Sequence, residues 1–457
     1  MILHRLLVLS LSWGFSKALQ ASNFRVSKDV AESLSCGQLC QKNLGDADKV
    51  DVKTFGNNFD FDFYATAENF TNCQEPGKTL KLKAIDPAEL NVDPGVTAFR
   101  IQYTSVTSTG DIVPVTGFIA FPLRPSSLNS TQEGRYNLVA LAHGTIGLFR
   151  GCAVSSNPAL DDFGTWQPAL RKGFAVVGTD YAGLGNNHTS HKYLNMIDHT
   201  NDVYYSTVAA RELFGAQLSL KWMVLGHSLG GGTAWKLAES SFVKNDSSYV
   251  GSIALAPATY FVDMMREYVN QTLAAGLLFF VAEGAERSIY GYQGSFLTTV
   301  MRSRLQLAKL AQSCLFATFS LTYDIAQRDV LNYKGFQHDE ETLLQWQKQV
   351  SAGQGARSPA PVLVIQGGRD TAILESATNK AYNKSCEAGN EIHYLLYPEQ
   401  SHGSVVQAAE PDWVTWLERR FADPKSFPGR CSHTVKLPFR SEYVKAPGDF
   451  WETPEHK

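Results

Sequence analysis

The pentapeptide Gly226-His227-Ser228-Leu229-Gly230 is the segment of this sequence best suited to chemistry. It follows the apolar run Trp222–Leu225 and precedes Gly231, Gly232 and a helix-compatible stretch, which is a strand–turn–helix pattern. Glycines at both ends permit a turn too tight for flanking side chains, and such a turn holds the serine Oγ where it can attack a carbonyl carbon. The pattern predicts that Ser228 is a nucleophile, and a glycine-rich turn without catalytic function is the alternative.

A serine nucleophile needs a general base, and the base needs a carboxylate to orient it. Downstream, Asp370 follows the apolar run Val362–Ile365, and His402 follows the run Ile392–Tyr397. Because carboxyl ends of parallel strands meet at one edge of a sheet, we expect both side chains to reach Ser228. Taken singly, Asp370 is also compatible with a helix N-cap and His402 with a solvated loop. Together, in the order Ser, Asp, His, they predict a catalytic triad.

Acyl transfer at a serine also requires backbone N–H groups that stabilise the developing oxyanion. One is expected from Leu229, the residue after the nucleophile, and another from the loop after an upstream strand. The run Leu138–Ala142 opens into His143-Gly144-Thr145-Ile146-Gly147, whose glycines allow close backbone approach. The candidate donors there are Gly144, Thr145 and Gly147, and the sequence leaves open which of them donates; a plain loop is the alternative.

The remaining acids and histidines have structural interpretations. Asp180 follows a strand and is expected to brace the site, and His227 is expected to pack behind the nucleophile. His188 and His191 form an HxxH pair without a third ligand, which favours a surface loop over zinc. We therefore predict no metal and no cofactor.

The elements that must position these residues are short apolar runs alternating with helical stretches. The predicted buried strands are Leu138–Ala142, Phe174–Gly178, Trp222–Leu225, Ser252–Leu255, Val362–Ile365 and Ile392–Tyr397. Two earlier runs, Ala98–Ser105 and Ile112–Pro122, are separated by a Ser-Thr-Gly turn and predict an antiparallel hairpin at the sheet edge. The pattern indicates an α/β fold with a mostly parallel central sheet covered by helices on both faces.

One interval, from Ala256 to Ala360, is too long for a connecting loop. Helical periodicity within it predicts helices over Asp263–Thr272, Leu297–Leu315 and Glu340–Val350. We interpret it as an inserted helical lid or cap. The predicted organisation is a signal peptide (1–18), an N-terminal Cys-containing segment (19–75), the first part of the core (76–257), the lid (258–357), and the second part of the core with a tail (358–457).

Composition excludes several classes of function. The chain has 457 residues with 41 Lys+Arg against 44 Asp+Glu, a net charge of −3. This balance produces no field that attracts nucleic acid. Hydrophobic residues make up 44%, which is typical of a globular protein and excludes disorder.

The first residues indicate secretion. Met1–Ser16 has a short polar start, an apolar run and then small residues, as in a secretory signal peptide. A membrane anchor is the alternative, but the run is shorter than the roughly 20 residues of a bilayer span, so no transmembrane anchor is expected. Secretion agrees with six Asn-X-Ser/Thr sequons, which are N-glycosylation sites of secreted proteins, at Asn69, Asn129, Asn187, Asn245, Asn270 and Asn383.

From about Pro76 to Cys431 the sequence resembles the fungal secretory lipase family (Candida antarctica lipase A-like) of the α/β-hydrolase superfamily. The resemblance rests on the His143–Gly147 segment with Cys152 after it, on Thr179–Gly185 (TDYAGLG), on the elbow around Ser228, and on Asp370 and His402. Members have a helical lid before the strand that carries the acid. They more often have Gln after the nucleophile, where this chain has Leu229, and we expect that change to alter the pocket wall rather than the chemistry.

The resemblance also implies two disulfides, Cys152–Cys314 and Cys386–Cys431. Of the three remaining cysteines, Cys36, Cys40 and Cys73, we expect two to form one more disulfide that includes Cys73 and leaves one thiol free.

The sequence thus predicts a secreted serine ester hydrolase, a lipase that cleaves acylglycerol esters through an acyl-enzyme. Its expected partners are a small-molecule or lipid ester and a lipid–water interface, not nucleic acid. A carboxylesterase acting on soluble or secondary-metabolite esters is the alternative, followed by an acyltransferase, a serine peptidase and a non-catalytic binding protein.

Overall fold

A single mixed sheet organises the chain. The computed structural model describes residues 20–56, 58–127, 134–160, 164–267, 274–424 and 429–445. Within them ten strands are hydrogen-bonded in the order β1-β2-β3-β5-β4-β6-β7-β8-β9-β10. The strands are β1 (Thr79–Ala84), β2 (Thr97–Val106), β3 (Ile112–Phe121), β4 (Tyr136–Ala142), β5 (Ala175–Thr179), β6 (Leu218–His227), β7 (Tyr249–Leu255), β8 (Val362–Gly367), β9 (Ile392–Tyr397) and β10 (Ser432–Val435).

The sheet is antiparallel at one side and parallel over the rest. β1, β2, β3 and β5 pair antiparallel in succession, whereas β5, β4 and β6 to β10 pair parallel. The central strands are buried along their length, and in β7 every residue is buried. Continuous apolar runs form such strands because helices cover both faces. The predicted mostly parallel sheet with an antiparallel hairpin is confirmed, and the sequence missed β1 and β10.

Fourteen helices accompany the sheet in the described residues. They are α1 (Lys28–Ser33), α2 (Gln38–Phe55), α3 (Phe61–Tyr64), α4 (Gln167–Arg171), α5 (Met196–Phe214), α6 (Leu229–Ala238), α7 (Phe261–Glu267), α8 (Leu277–Ser288), α9 (Thr299–Ala311), α10 (Leu315–Ser320), α11 (Tyr333–Val350), α12 (Glu375–Glu387), α13 (Ser404–Ala408) and α14 (Glu410–Ala422). None of the helices in these ranges combines the length and hydropathy that a membrane span requires.

The long interval between β7 and β8 is helical as expected, but its helices differ from the prediction. The single helix predicted over Leu297–Leu315 is divided into α9 and α10, because Gln312 adopts a left-handed conformation (φ 49°, ψ 49°) at the end of α9. The helix predicted from Glu340 begins at Tyr333, since the Asn332 side chain accepts the Gly335 N–H and caps it. Helix α8 was not predicted, and part of the helix predicted over Asp263–Thr272 lies outside the described residues.

The N-terminal segment packs against this interval. The buried Asp51 carboxylate of α2 accepts the N–H groups of Phe316 and Ala317, at 2.9 and 3.0 Å, and so caps α10. Asn23 Oδ1 accepts the N–H of Cys314 at 2.8 Å. The segment, which showed no strong sequence period, therefore folds as an anchor for α10.

Candidate active site

Ser228 occupies the sharp turn between β6 and α6. Its backbone has φ 58° and ψ −121°, a conformation that non-glycine residues rarely adopt. The glycines on either side are required by close backbone contacts. A Cβ at Gly226 would lie 2.1 Å from Gly230 O, and one at Gly230 would lie 1.8 Å from Ala142 O. The chain therefore places Ser228 at the carboxyl end of β6 in the geometry of a nucleophile elbow.

Asp370 and His402 are brought together by the loops after β8 and β9. His402 Nδ1 lies 2.7 Å from Asp370 Oδ2, and both side chains are almost entirely buried. The other carboxylate oxygen, Asp370 Oδ1, accepts the N–H groups of Ala372 and Ile373, each at 2.8 Å. Because β6, β8 and β9 are parallel, all three residues follow the carboxyl ends of their strands at one edge of the sheet.

Two neighbours hold this acid–histidine pair. Gln366, the penultimate residue of β8, donates through Nε2 to Asp370 Oδ2 at 3.1 Å. His227 packs against the His402 ring with centroids 4.6 Å apart, and its Nε2 lies 3.1 Å from the His402 carbonyl. Burial, and secondarily the neighbouring His402, lower the pKa of His227 well below its usual range, so it stays neutral. Gln366 was not predicted from the sequence; the signal that could have found it is a polar residue directly after the apolar run Val362–Ile365 and four positions before Asp370.

The predicted oxyanion residues flank the turn. Leu229 is the first residue of α6, so its N–H has no partner within the helix. The loop after β4 begins next to it, since a Cβ on Gly230 would also lie 2.6 Å from His143 O. Thr145 is buried, and its Oγ1 lies 2.7 Å from the hydroxyl of Tyr193.

Gly147 occupies a different environment from its neighbours in that loop. Its backbone pairs with Cys314 in an isolated antiparallel bridge. An added Cβ would lie 2.5 Å from Cys152 Sγ. The Cys152–Cys314 disulfide therefore occupies the space next to the Gly147 backbone. This contact distinguishes the surroundings of Gly147 from those of Gly144 and Thr145.

A stack of aromatic rings lies behind the same loop. The Tyr181 ring packs on His143 and on His199, with centroids 4.2 and 4.3 Å away, and His199 stacks on His191. The Tyr181 hydroxyl donates to His143 O at 3.0 Å. Burial lowers the pKa of His143 to about 4. His188 is exposed as expected, but the surface prediction for His191 is wrong, because the stack buries it.

Asp180 anchors the segment around Ser155, which follows the loop His143–Gly147. Its carboxylate accepts the Ser155 N–H at 2.7 Å, the Ser155 hydroxyl at 2.5 Å and the Thr116 hydroxyl at 2.7 Å. Burial raises the pKa of this carboxyl group, and the hydrogen bonds to Ser155 oppose that shift. These contacts hold the chain that follows the oxyanion loop against β3 and β5. A search of the described ranges finds no cluster of side chains suited to bind a metal ion.

An apolar pocket opens at Ser228. Helices α7 and α8 supply six of its lining residues, Phe261, Met264, Met265, Leu277, Leu278 and Val281. Tyr193 and Ile373 also line it. This apolar lining suits a hydrophobic group attached to a carbonyl that reaches the serine.

The structure contains both disulfides that the resemblance implied. Cys152–Cys314 joins the chain after the oxyanion loop to α10, and Cys386–Cys431 joins α12 to the segment before β10. The third is Cys36–Cys40, and Cys73 is an exposed free thiol. The expectation that Cys73 joins a disulfide is therefore wrong, because Cys36 and Cys40 lie close enough at the start of α2 to pair with each other.

The predicted glycosylation sites are at the surface wherever they are described. Four sequon asparagines are exposed: Asn69, Asn187, Asn245 and Asn383. Asn129 and Asn270 lie outside the described residues, as does the predicted signal peptide.

Comparison with known proteins gives a family and a fold. The family described as Secretory lipase matches residues 160–429. Candida antarctica lipase A in its closed state is 15% identical, with a TM-score of 0.62 over 82% of this chain and 89% of that one. A ligand-bound form of the rice cell wall degrading esterase LipA from Xanthomonas oryzae is 16% identical, with a TM-score of 0.56 over 76% and 97%. No curated protein sequence matches the chain. The likeness establishes the α/β-hydrolase fold.

Proposed function

Since this chain belongs to the secretory lipase family and is a carboxylic ester hydrolase, we propose that it cleaves acylglycerol esters with Ser228 as nucleophile. The observation that carries the proposal is the buried 2.7 Å contact between His402 and Asp370 at the sheet edge where Ser228 occupies its strained turn. A carboxylate on Nδ1 fixes the histidine tautomer in which Nε2 carries no proton and can accept that of the serine.

In the proposed reaction Ser228 Oγ attacks the ester carbonyl carbon while His402 Nε2 takes its proton. Asp370 stabilises the imidazolium that forms. The tetrahedral intermediate collapses as His402 returns the proton to the leaving alkoxide, which departs as an alcohol and leaves an acyl-enzyme. A water molecule, deprotonated by the same histidine, then releases the carboxylic acid and restores the serine.

We assign the oxyanion hole to the N–H of Leu229 together with the segment Gly144–Thr145. Leu229 begins a helix, so its N–H is available and lies at the positive end of the helix dipole. Gly144 and Thr145 directly follow His143, whose carbonyl oxygen lies against Gly230 in the first turn of α6. Each donor is expected to lower the barrier by about 3 kcal/mol.

The substrate class follows from the pocket. Its wall is almost wholly aliphatic, aromatic or thioether, so it favours an acyl chain over a polar acyl group. Six residues of this wall lie in α7 and α8, and we propose that residues 258–357 form a lid that binds the acyl chain. The disulfide at Cys314 and the Asp51 cap fix the α10 part of that region.

Hydrolysis of p-nitrophenyl esters from acetate to palmitate tests the reaction and the substrate together. We expect the wild type to prefer medium or long acyl chains and the Ser228→Ala variant to lose activity on every ester. Ser206→Ala is a matched control, because the hydroxyl of that buried serine donates to Val203 O within α5. Full activity of Ser228→Ala would refute the mechanism, whereas wild-type activity confined to acetate and butyrate would favour a carboxylesterase.

Membership of a secretory family and three disulfides are the properties of a secreted protein. We further propose that residues 1–18 are the cleaved signal and that the sequon asparagines carry glycans. Mass spectrometry of protein recovered from the medium tests both, and an intact Met1 would refute the cleavage.

A further inference from the structure

Tyr193, a residue that the sequence did not single out, lies between helix α8 and the oxyanion loop. Tyr193 lines the pocket beside Ser228, and its hydroxyl lies 2.7 Å from Thr145 Oγ1, with both side chains buried. Tyr193 therefore connects the pocket to the predicted oxyanion hole.

The position of Tyr193 is itself set by α8. Its ring packs on Phe280 with centroids 5.2 Å apart. Gly284 lies directly over its backbone, since a Cβ there would be 2.2 Å from Tyr193 O. Only a glycine allows this approach, so the helix seats the tyrosine from two sides.

The same helix holds the backbone on both sides of the Tyr193–Thr145 contact. Arg287 Nη1 donates to His191 O at 2.9 Å and to Leu148 O at 3.3 Å. Arg287 is in turn paired with Glu283, a buried residue of α8, at 2.9 Å. The segment before Tyr193 and the end of the oxyanion loop are thus fixed to one guanidinium group.

We propose that Tyr193 is a positioning residue of the oxyanion hole, whose hydroxyl donates to Thr145 Oγ1 and holds the loop amides toward the ester oxygen. The inference rests on the proposed function. A phenol is more acidic than an alkyl alcohol, so the tyrosine O–H is the donor and the threonine oxygen the acceptor. Burial raises the pKa of Tyr193, which keeps this donor protonated at any pH where the protein is folded.

The contact is suited to act on the transition state more than on substrate binding. Misplaced oxyanion donors weaken the interaction with the charge that develops on the ester oxygen, whereas the acyl chain still fills the same pocket. Loss of the hydroxyl is therefore expected to lower kcat and to leave KM nearly unchanged. Because α8 seats the tyrosine, a shift of α8 would disturb the oxyanion hole together with the pocket.

The experiment compares Tyr193→Phe, Thr145→Val and their double variant on p-nitrophenyl butyrate. Phenylalanine keeps the ring on Phe280 and removes only the hydroxyl. We expect each single variant to lower kcat by about tenfold, with KM changed by less than about twofold. The double variant should lose no more than the larger single loss, because both changes remove one hydrogen bond. Thr145→Ser, which keeps the hydroxyl, should restore most of kcat.

Tyr249→Phe is the matched control for stability. Its buried hydroxyl lies 2.5 Å from Ser252 Oγ, but at the start of β7, the end of the strand away from the site. We expect Tyr249→Phe to lower Tm to a similar extent without changing kcat.

The inference is overturned if Tyr193→Phe retains kcat within about twofold of a wild type that Ser228→Ala inactivates. It is equally overturned if the losses in the single variants multiply in the double variant. A wild type that hydrolyses no ester would refute the proposed function instead. Should Tyr193→Phe fold poorly, Thr145→Val against Thr145→Ser decides the question.

Discussion

Replacing Asp370 with asparagine should separate the catalytic from the structural role of this carboxylate. Its two oxygens accept four hydrogen bonds: Oδ2 from His402 and Gln366, and Oδ1 from the backbone N–H groups of Ala372 and Ile373. An asparagine side chain has one acceptor oxygen and one NH₂ donor. Whichever way it is placed, the NH₂ group faces two donors.

The backbone N–H groups cannot rearrange, so the amide oxygen is expected to take the Oδ1 position and the NH₂ group to face His402 Nδ1. The histidine then relieves the conflict by moving its own proton to Nε2. In that tautomer Nε2 can no longer accept the serine proton. We therefore expect kcat to fall by about 10³- to 10⁴-fold, equivalent to about 4–5.5 kcal/mol of activation free energy.

The assay is steady-state hydrolysis of p-nitrophenyl butyrate, with Tm measured on the same protein samples. Asp51→Asn is a matched control, because Asp51 is also buried and also accepts two backbone N–H groups, those of Phe316 and Ala317. Its carboxylate binds α10 and not the triad residues, so kcat should not change. The assignment of Asp370 is wrong if Asp370→Asn keeps kcat within about tenfold of the wild type while remaining folded.

Three further outcomes test other features. A disulfide that closes a longer loop removes more conformational entropy from the unfolded chain. Replacing both cysteines of Cys152–Cys314, which are 162 residues apart, should therefore lower the free energy of unfolding by about 5 kcal/mol, and replacing those of Cys386–Cys431, 45 residues apart, should lower it by about 4 kcal/mol. Denaturant titrations that rank the two pairs in the opposite order would contradict this reasoning. Burial raises the pKa of Asp51 from 3.8 to about 7, so the folded state keeps a proton that the unfolded state has released. This group alone should contribute a fall of about 1.4 kcal/mol per pH unit to the free energy of unfolding between about pH 4 and 7. Asp51→Asn should remove this contribution, and unfolding curves with equal pH slopes for both proteins would exclude it. Val281→Trp, in the pocket wall of α8, should lower kcat/KM for palmitate by at least about tenfold while leaving acetate nearly unchanged, and equal losses on both esters would argue against an acyl site there.

Much of the site could be predicted because its signals are local. The glycines around Ser228 are dictated by contacts within a few residues of the turn and with the adjacent strand. Asp370 and His402 each follow an apolar run that ends at the same sheet edge. A parallel sheet converts such local positions into spatial proximity, since strand ends in register must meet.

The residues that the sequence missed depend on contacts between distant segments. Nothing near Tyr193 in the chain indicates that Gly284 and Phe280 would seat it, or that its hydroxyl would reach Thr145. The same holds for α10, whose first residues are held by Asp51 and by the Cys152–Cys314 disulfide. His191 was predicted to be exposed and is buried, because an HxxH pattern does not reveal that the rings of His199 and Tyr181 will cover it.

The sequence by itself therefore determined the order of strands and helices and the residues that could perform ester hydrolysis, because strand periodicity, turn glycines and residue type are properties of short segments. The tertiary structure decided how α10 is held and which side chains hold the oxyanion loop. Those outcomes are set by packing between segments that are distant in the chain, as for Asp51 with Phe316, for Cys152 with Cys314 and for Tyr193 with Thr145. Such contacts exist only once the sheet has brought the segments together.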